Sequence, residues 1–372
     1  MDFSFSDEQQ ALRELARKIF EDRLTHDRLK QVAADPDWFA RDVWAELAKA
    51  NLLGVALPEE YGGNDLGVIE LCLLLEEAGR TTAPLPLWST LVLGAMPILE
   101  FGTAEQRKRI LPGVVGGSTV LTAALVENGW DDVLNVGTRA TADGSSWRLD
   151  GLKTCVPAAH LAEHVIVPAR SGDDLRFFLV DPRAAGIEKT AQQTTSGEPQ
   201  HTLALSGVKV AAADVLGERV LGTSALAWLR DRALLGLCAL QAGVVEAALR
   251  ITARYTSTRE QFGKPLATFQ AVGQRAADAY IDVEAVRWTM WQAAWRVAAG
   301  LPATEEIAIA KYWASEGAHR VVYAAQHLHG GIGLDLDYPV HRYYVWSKEI
   351  ELSLGSGAVQ LARLGDAVAA GK

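Results

Sequence analysis

The chain has 372 residues, 49% of them apolar and 22% charged, and carries a net charge of −10 at pH 7. That length exceeds a single core and implies two or three packed domains of an ordinary globular kind. The acidic balance, with no Lys/Arg block, argues against a nucleic-acid partner and leaves any polyanionic ligand to local cations. Cys72, Cys155 and Cys238 match neither metal spacing nor a disulfide framework, so each reads as a small buried hydrophobe and no metal site is expected. The stretch Met1-Asp2-Phe3-Ser4-Phe5 is acidic and lacks a signal-peptide core. No uninterrupted apolar run reaches membrane-spanning length, and a cytoplasmic chain without a membrane partner is expected.

Residues 1–117 read as a helical domain. Ser6 followed three positions later by Gln9 is a capping box opening a helix through about Glu21. Asp37-Trp38-Phe39 leads into the apolar repeat Val43, Leu47 and Leu52. The run Ile69 to Ala78 suits a buried helix closed by Gly79, and Gln106 to Val115 starts another before Gly116-Gly117-Ser118 breaks the pattern.

Residues 118–221 change to short β-rich runs, a middle domain. Strands are expected at Val120–Leu125, Gly137–Ala142, Trp147–Leu149, His164–Pro168, Arg176–Val180 and Thr202–Val208, with Asp143-Gly144 a hairpin turn. Residues 222–372 return to helices: Ala225–Tyr255, Val272–Val297, Thr304–Ala325, and Tyr343–Ala369 interrupted at Gly355. Trp288, Trp291 and Trp295 lie on neighbouring helical faces, where core packing or a subunit interface is favoured over a ligand shelf. The fold class is α+β, a β domain between two helical ones.

Two segments carry the chemistry. Arg259-Glu260-Gln261-Phe262-Gly263-Lys264-Pro265, with Gln270 beyond it, lies between two long helices and offers a rigid cation for phosphate oxygens. Gln326-His327-Leu328-His329-Gly330-Gly331-Ile332-Gly333 follows, with glycines that let backbone approach a ligand.

Together these segments resemble the acyl-CoA dehydrogenase family, whose members carry R-x-x-FG…Q and then Q-x-x-GG-x-G. Pro58-Glu59-Glu60-Tyr61-Gly62-Gly63 is similar to the family's P-x-x-Y-G-G turn, and Gly151-Leu152-Lys153 to its G-x-K strand end. The resemblance implies a helical N-terminal domain, a β-barrel-like middle domain and a C-terminal four-helix bundle. It also implies FAD as cofactor, an acyl-CoA substrate and a tetramer. Arg259, Gln261, Phe262, Gln270, Gly330, Gly331 and Ser356 would hold the dinucleotide across a subunit interface, with the glycine-motif Gln being Gln326 or its place taken by His327.

The departures from the family are concentrated. Its base is usually a Glu in Y-E-G-T; Lys348 and Gly355 anchor an alignment that puts Leu354 there, and leucine takes no proton. Counting back from Arg259 to the alternative base position gives Ala233, equally inert. Asp231 and Glu351 are the nearest acids, and His327, His329 and His341 the nearest imidazoles. The family's T-E-P-x-x-G-S-D reads Leu125-Val126-Glu127-Asn128-Gly129-Trp130-Asp131-Asp132, where Trp130 and Asp131 add bulk and charge. The W-I-T that faces the flavin ring reads Cys155-Val156-Pro157, and proline has no N–H to donate. Val345-Trp346 replaces an Arg-Asp pair. Three expectations follow. The first is an accessory subunit lending FAD contacts to a homologous catalytic partner, as in bacterial pairs linked to steroid side-chain oxidation. The second is an active homo-oligomer with Asp231 or Glu351 as base. The third is a non-dehydrogenating flavin- or acyl-CoA-binding relative.

Overall fold

The computed structural model describes residues 4–129, 132–218 and 220–370. The chain divides into two compact units, one of residues 1–29, 68–83 and 234–372, the other of residues 30–67 and 84–233.

The first unit is helical. Helix α1 (Asp7–Arg23) begins at the expected capping box: Ser6 Oγ accepts from Gln9 N at 3.2 Å and Gln9 Oε1 from Ser6 N at 3.0 Å. Helix α4 (Val68–Arg80) packs on it and runs through Gly79 rather than ending there. The glycine serves a different purpose. A Cβ at Gly79 would lie 2.0 Å from the Leu240 carbonyl oxygen, and one at Gly243 would lie 1.9 Å from that of Glu76. The pair therefore lets α4 press its backbone onto α7 (Gly222–Thr258). Helices α8 (Gln270–Ala298), α9 (Thr304–His329), α10 (Val340–Leu352) and α11 (Gly357–Ala369) complete the unit. One window of α7 is long and apolar enough to cross a membrane, yet 72% of it is buried within the protein, so it is a core helix. Trp291 is buried and meets Phe5 edge-on, whereas Trp288 and Trp295 are exposed.

The second unit holds α3 (Arg41–Lys49), α6 (Ala104–Val115) and a sheet. A π-helical stretch, Trp88–Ala95, continues into α5 (Met96–Phe101), an element that the sequence pattern does not announce. The strands are β1 (Leu121–Ala123), β2 (Arg139–Asp143), β3 (Ser146–Pro157), β4 (His164–Ser171), β5 (Asp174–Val180), β6 (Ile187–Gln192) and β7 (Gln200–Ala211). Their order is β1-β4-β2-β3-β7-β6, with β5 paired to β4. β1 runs parallel to β4, and the hairpin of β2 with β3 turns at the expected Asp143-Gly144. Its core, including Leu149, Val156, Val167, Phe178 and Val208, is fully enclosed. The expected strand at Trp147–Leu149 is longer than its apolar run, because β3 continues through Gly151-Leu152-Lys153. The β3–β7 register shifts between Lys153 and Val156, so Thr154 and Cys155 form a bulge.

Candidate functional site

The sequence-predicted clasp sits on the helical unit. After α7, Glu260 and Gln261 pair with Pro265 and Lys264 across a tight hairpin. Its two turn residues, Phe262 (φ +55°) and Gly263 (φ +75°), both adopt the left-handed conformation of a hairpin turn. That geometry pushes the Phe262 ring outward, 91% exposed, touching only the Phe269 ring edge-on at 6.2 Å. Arg259 is exposed, and its guanidinium has no hydrogen bond or ion pair among the described residues. Gln270, also exposed, is the first residue of α8, whose N-cap Phe269 gives no side-chain cap to the helix amides. Gln261 spends its amide on the Glu260 carbonyl at 2.7 Å.

The glycine segment lies against the same end of the helical unit. Tyr255, one turn before Arg259, stacks on His329, the last residue of α9, with centroids 4.4 Å apart. His329 is buried, its Nδ1 2.7 Å from the Ala325 carbonyl, and burial lowers its pKa against that bond. Its Nε2 is buried with no hydrogen-bond partner among the described residues. His341 bonds the Tyr338 carbonyl through Nδ1 at 2.7 Å, which leaves His327 as the exposed imidazole of the three. Gly330 (φ +63°) and Gly331 are exposed and open, with nothing within 4 Å of where a Cβ would stand. Gln326 is turned inward: a Cβ on Gly333 would lie 3.1 Å from its amide carbon.

The acid candidates are committed elsewhere. Asp231 is buried, and its Oδ1 accepts from Arg230 Nε and Nη2 at 3.0 and 2.8 Å. Ala233 is fully buried, its carbonyl taken by the Trp88 indole at 3.0 Å. Glu351 bonds Lys348 Nζ at 2.7 Å. Leu354, half-buried, follows α10 in a left-handed turn (φ +56°) with Gly355 (φ +101°). A residue that the sequence reading passed over fixes this turn. Lys311 is fully buried, and its ammonium caps the Ile350 and Glu351 carbonyls at 2.7 and 3.0 Å. Burial pushes its pKa down to about 8. Ser356 is the N-cap of α11 but makes no capping bond.

The segment expected from the sequence to face a flavin ring belongs to the sheet unit; Trp130 and Asp131 lie outside the described residues. Glu127 is buried and takes four donors: Lys153 Nζ at 2.6 Å, Gly137 N at 2.7 Å, Thr138 Oγ1 at 2.7 Å and Thr138 N at 3.1 Å. Burial pushes its carboxyl up, but Lys153 and the other donors outweigh that and hold it below the usual carboxylate range. Cys155 is exposed, contrary to the buried thiol expected, because it occupies the bulge with φ +52°.

An exposed cation, an exposed aromatic ring and an open glycine turn suit a dinucleotide's phosphates and rings, so the clasp fits FAD. Among the described residues, the β3 segment expected at the flavin ring offers no comparable set of free donors, since the Cys155 N–H and the Thr154 hydroxyl both bond Gln192. The fold is that of an α+β flavoprotein of helical, β and helical parts. Residues 6–118 match the acyl-CoA dehydrogenase N-terminal domain and residues 222–369 its C-terminal domain. The chain is similar to the acyl-CoA dehydrogenase FadE27 of Mycobacterium tuberculosis, 37% identical over 98% of both. Among solved structures it is similar to a variant of the Tcur3481-Tcur3483 steroid ACAD (TM-score 0.92, 48% identity, 98% of both chains). It is likewise similar to the ChsE4-ChsE5 complex of Mycobacterium tuberculosis (TM-score 0.93, 38% identity, 99% of both chains). The chain belongs to the acyl-CoA dehydrogenase family, whose cofactor is FAD.

Proposed function

We propose that this chain is the accessory subunit of a heteromeric acyl-CoA dehydrogenase that acts on steroid or other ring-bearing acyl-CoA thioesters. The observation that carries this reading is the outward clasp: Arg259 has no counter-charge among the described residues and Phe262 is 91% exposed. A side chain of that kind gains little by folding and is suited to a group held by a neighbour. FAD, when bound, accepts the hydride that leaves the acyl β-carbon. In this reading Arg259 pairs with the pyrophosphate, and Phe262 and Gln270 contact the dinucleotide. Gly330 and Gly331 let backbone approach it, and Ser356 and Gln261 lie at its margin. His327 takes the role of the motif glutamine, since Gln326 is turned inward.

The base would come from the partner. Leucine at 354 cannot remove the α-proton, and Asp231 and Glu351 are both held in ion pairs, which gives the homo-oligomer with a relocated base no support. Helix α8 offers a docking face: Ile281, Trp288 and Trp295, seven residues apart, are 63%, 45% and 56% exposed. Apolar surface of that size on one helix suits a permanent subunit contact. The steroid class and the paired assembly are brought from the relatives' descriptions, and a cytoplasmic location follows the same reading.

The test is flavin stoichiometry by acid release. The chain purified alone should be colourless. Co-purified with a homologous partner it should give a yellow complex with one FAD per pair, bleached by a steroid side-chain CoA thioester. One FAD per chain in the solitary protein, bleached by an acyl-CoA, would overturn the proposal.

A further inference from the structure

We infer that Gln192 closes this chain's own ring-binding edge, so that its sheet unit takes no flavin. The inference rests on the accessory-subunit reading above and names the residue that enforces it. The bulge at Thr154 and Cys155 takes the Cys155 N–H out of the β3–β7 ladder, and the Thr154 hydroxyl is a second donor at the same bulge. Donors placed in this way are what a ring carbonyl would use. Here neither is free. Gln192, the last residue of β6, reaches over the bulge: its Oε1 accepts from Cys155 N at 2.9 Å and from the Thr154 hydroxyl at 3.3 Å, and its Nε2 donates to Thr154 Oγ1 at 3.1 Å.

The surrounding groups complete the closure. Thr154 N donates to the Val126 carbonyl at 3.0 Å, tying the bulge to the segment before Glu127. The Glu127 carboxylate is saturated by its four donors, and Pro157 has no N–H. Among the described residues of this edge, a flavin would find the Cys155 N–H and the Thr154 hydroxyl already taken and its ring carbonyls unpaired, or would have to break the Gln192 bonds. Each outcome is unfavourable, because a buried acceptor without a partner loses its hydration with nothing in return. Gln192 is half-buried at a strand end, so it can be replaced without opening the sheet core.

Cys155 is a built-in reporter. It is exposed, whereas Cys72 and Cys238 are buried, and burial pushes the Cys238 thiol up to about 12 and Cys72 higher still. In the flavin-loaded complex with its partner, the rate of Cys155 modification by a chromogenic disulfide would be compared with that in the flavin-stripped complex. A Cys155→Ser control subtracts the partner's thiols. Equal rates are expected; tenfold protection by flavin would place a ring on this edge and overturn the inference. In the solitary chain, FAD binding would be followed by quenching of flavin fluorescence. Gln192→Ala should gain at least tenfold in affinity over wild type, while Gln192→Glu, which keeps the acceptor over Cys155 N–H, should not. A folded Gln192→Ala chain with unchanged affinity would overturn the role of Gln192. If the complex then still carries one FAD per pair, the accessory-subunit reading survives that failure. One FAD per chain with Cys155 protected would end both.

Discussion

The hairpin after α7 and the bulge in β3 are built alike and end differently. Each places residues in the left-handed conformation, Phe262 and Gly263 in one, Cys155 in the other. At the hairpin the turn holds the Phe262 ring out in solvent beside Phe269, and the Arg259 guanidinium just before it has no ion pair among the described residues. At the bulge the Cys155 N–H, the Thr154 N–H and hydroxyl and the Glu127 carboxylate are each bonded within the chain, by Gln192, by Val126 and by four donors to Glu127. Backbone strain alone therefore does not mark a ligand site. Side chains held outward do: Arg259 and Phe262 are exposed and open to a neighbour's group.

The sharpest way to test that contrast is to remove the cation from the answered side. Lys153→Met leaves Glu127 buried and charged without its counter-ion and should destabilise the chain by about 3–5 kcal/mol in denaturant titrations. The pH dependence has a definite sign. Because the folded Glu127 carboxyl lies below its ordinary value, its stabilisation is complete above the unfolded pKa and is lost as pH falls through the folded one. The gap between wild type and Lys153→Met should thus be full at neutral pH and close only in acid. A flat difference across that range would mean that the pair is not ionised.

On the unanswered side the same kind of deletion should be silent in the free chain. Arg259→Ala is expected to change stability by less than about 0.5 kcal/mol. In the complex it should weaken FAD retention by about 2–4 kcal/mol, roughly 30- to 700-fold, as for loss of one partner of a charge pair. Arg259→Lys should recover part of that, because an ammonium keeps the charge but not the planar fork. Dialysis against FAD-free buffer with residual flavin measured by absorbance separates the two variants.

Much of this was legible in the sequence, and the limits are physical. Capping at Ser6, the Asp143-Gly144 hairpin and the long helices are local signals and fall where the pattern puts them. β6 was missed because its Glu188-Lys189-Thr190-Ala191 run is exposed and has no alternation to read. Gly79 reads as a helix stop, since nothing local reveals that the Leu240 carbonyl presses on it. The clasp residues are legible as a motif because one hairpin and one helix end hold them. Gln192 is not, because its partners lie 37 and 38 residues away and only the sheet brings them together. Lys311 shares that fate, with its carbonyl partners on another helix.

A third polar group lies between the two extremes. Glu76 is buried, bonds Arg13 Nη2 at 3.0 Å through one oxygen, and has no partner for the other. Burial pushes its carboxyl up to about 7, against the pull of Arg13. Its folded pKa therefore exceeds the unfolded value. The fold binds this proton more tightly, gaining stability as pH falls from about 7 towards the ordinary carboxylate range. Glu76→Gln should remove that slope and stabilise the chain above pH 7 by on the order of 1–2 kcal/mol. Thermal melts at several pH values read both effects. A variant that is less stable at high pH would show that the Arg13 bond outweighs the buried charge.

The smallest effect separates two serines at helix N-termini. Ser6 accepts from Gln9 N and sits in a closed capping box, so Ser6→Ala should cost about 1 kcal/mol. Ser356 holds the same position on α11, yet its hydroxyl caps nothing. Ser356→Ala should then leave the stability of the solitary chain within about 0.5 kcal/mol of wild type. If its hydroxyl is reserved for the partner's dinucleotide, the same substitution should speed FAD loss from the complex by a few-fold, as expected for one neutral hydrogen bond. A loss of stability equal to that of Ser6→Ala would instead make Ser356 an ordinary cap and remove it from the clasp. The two serines thus ask, at the scale of a single hydroxyl, whether a polar group left unanswered by its own chain is answered by another.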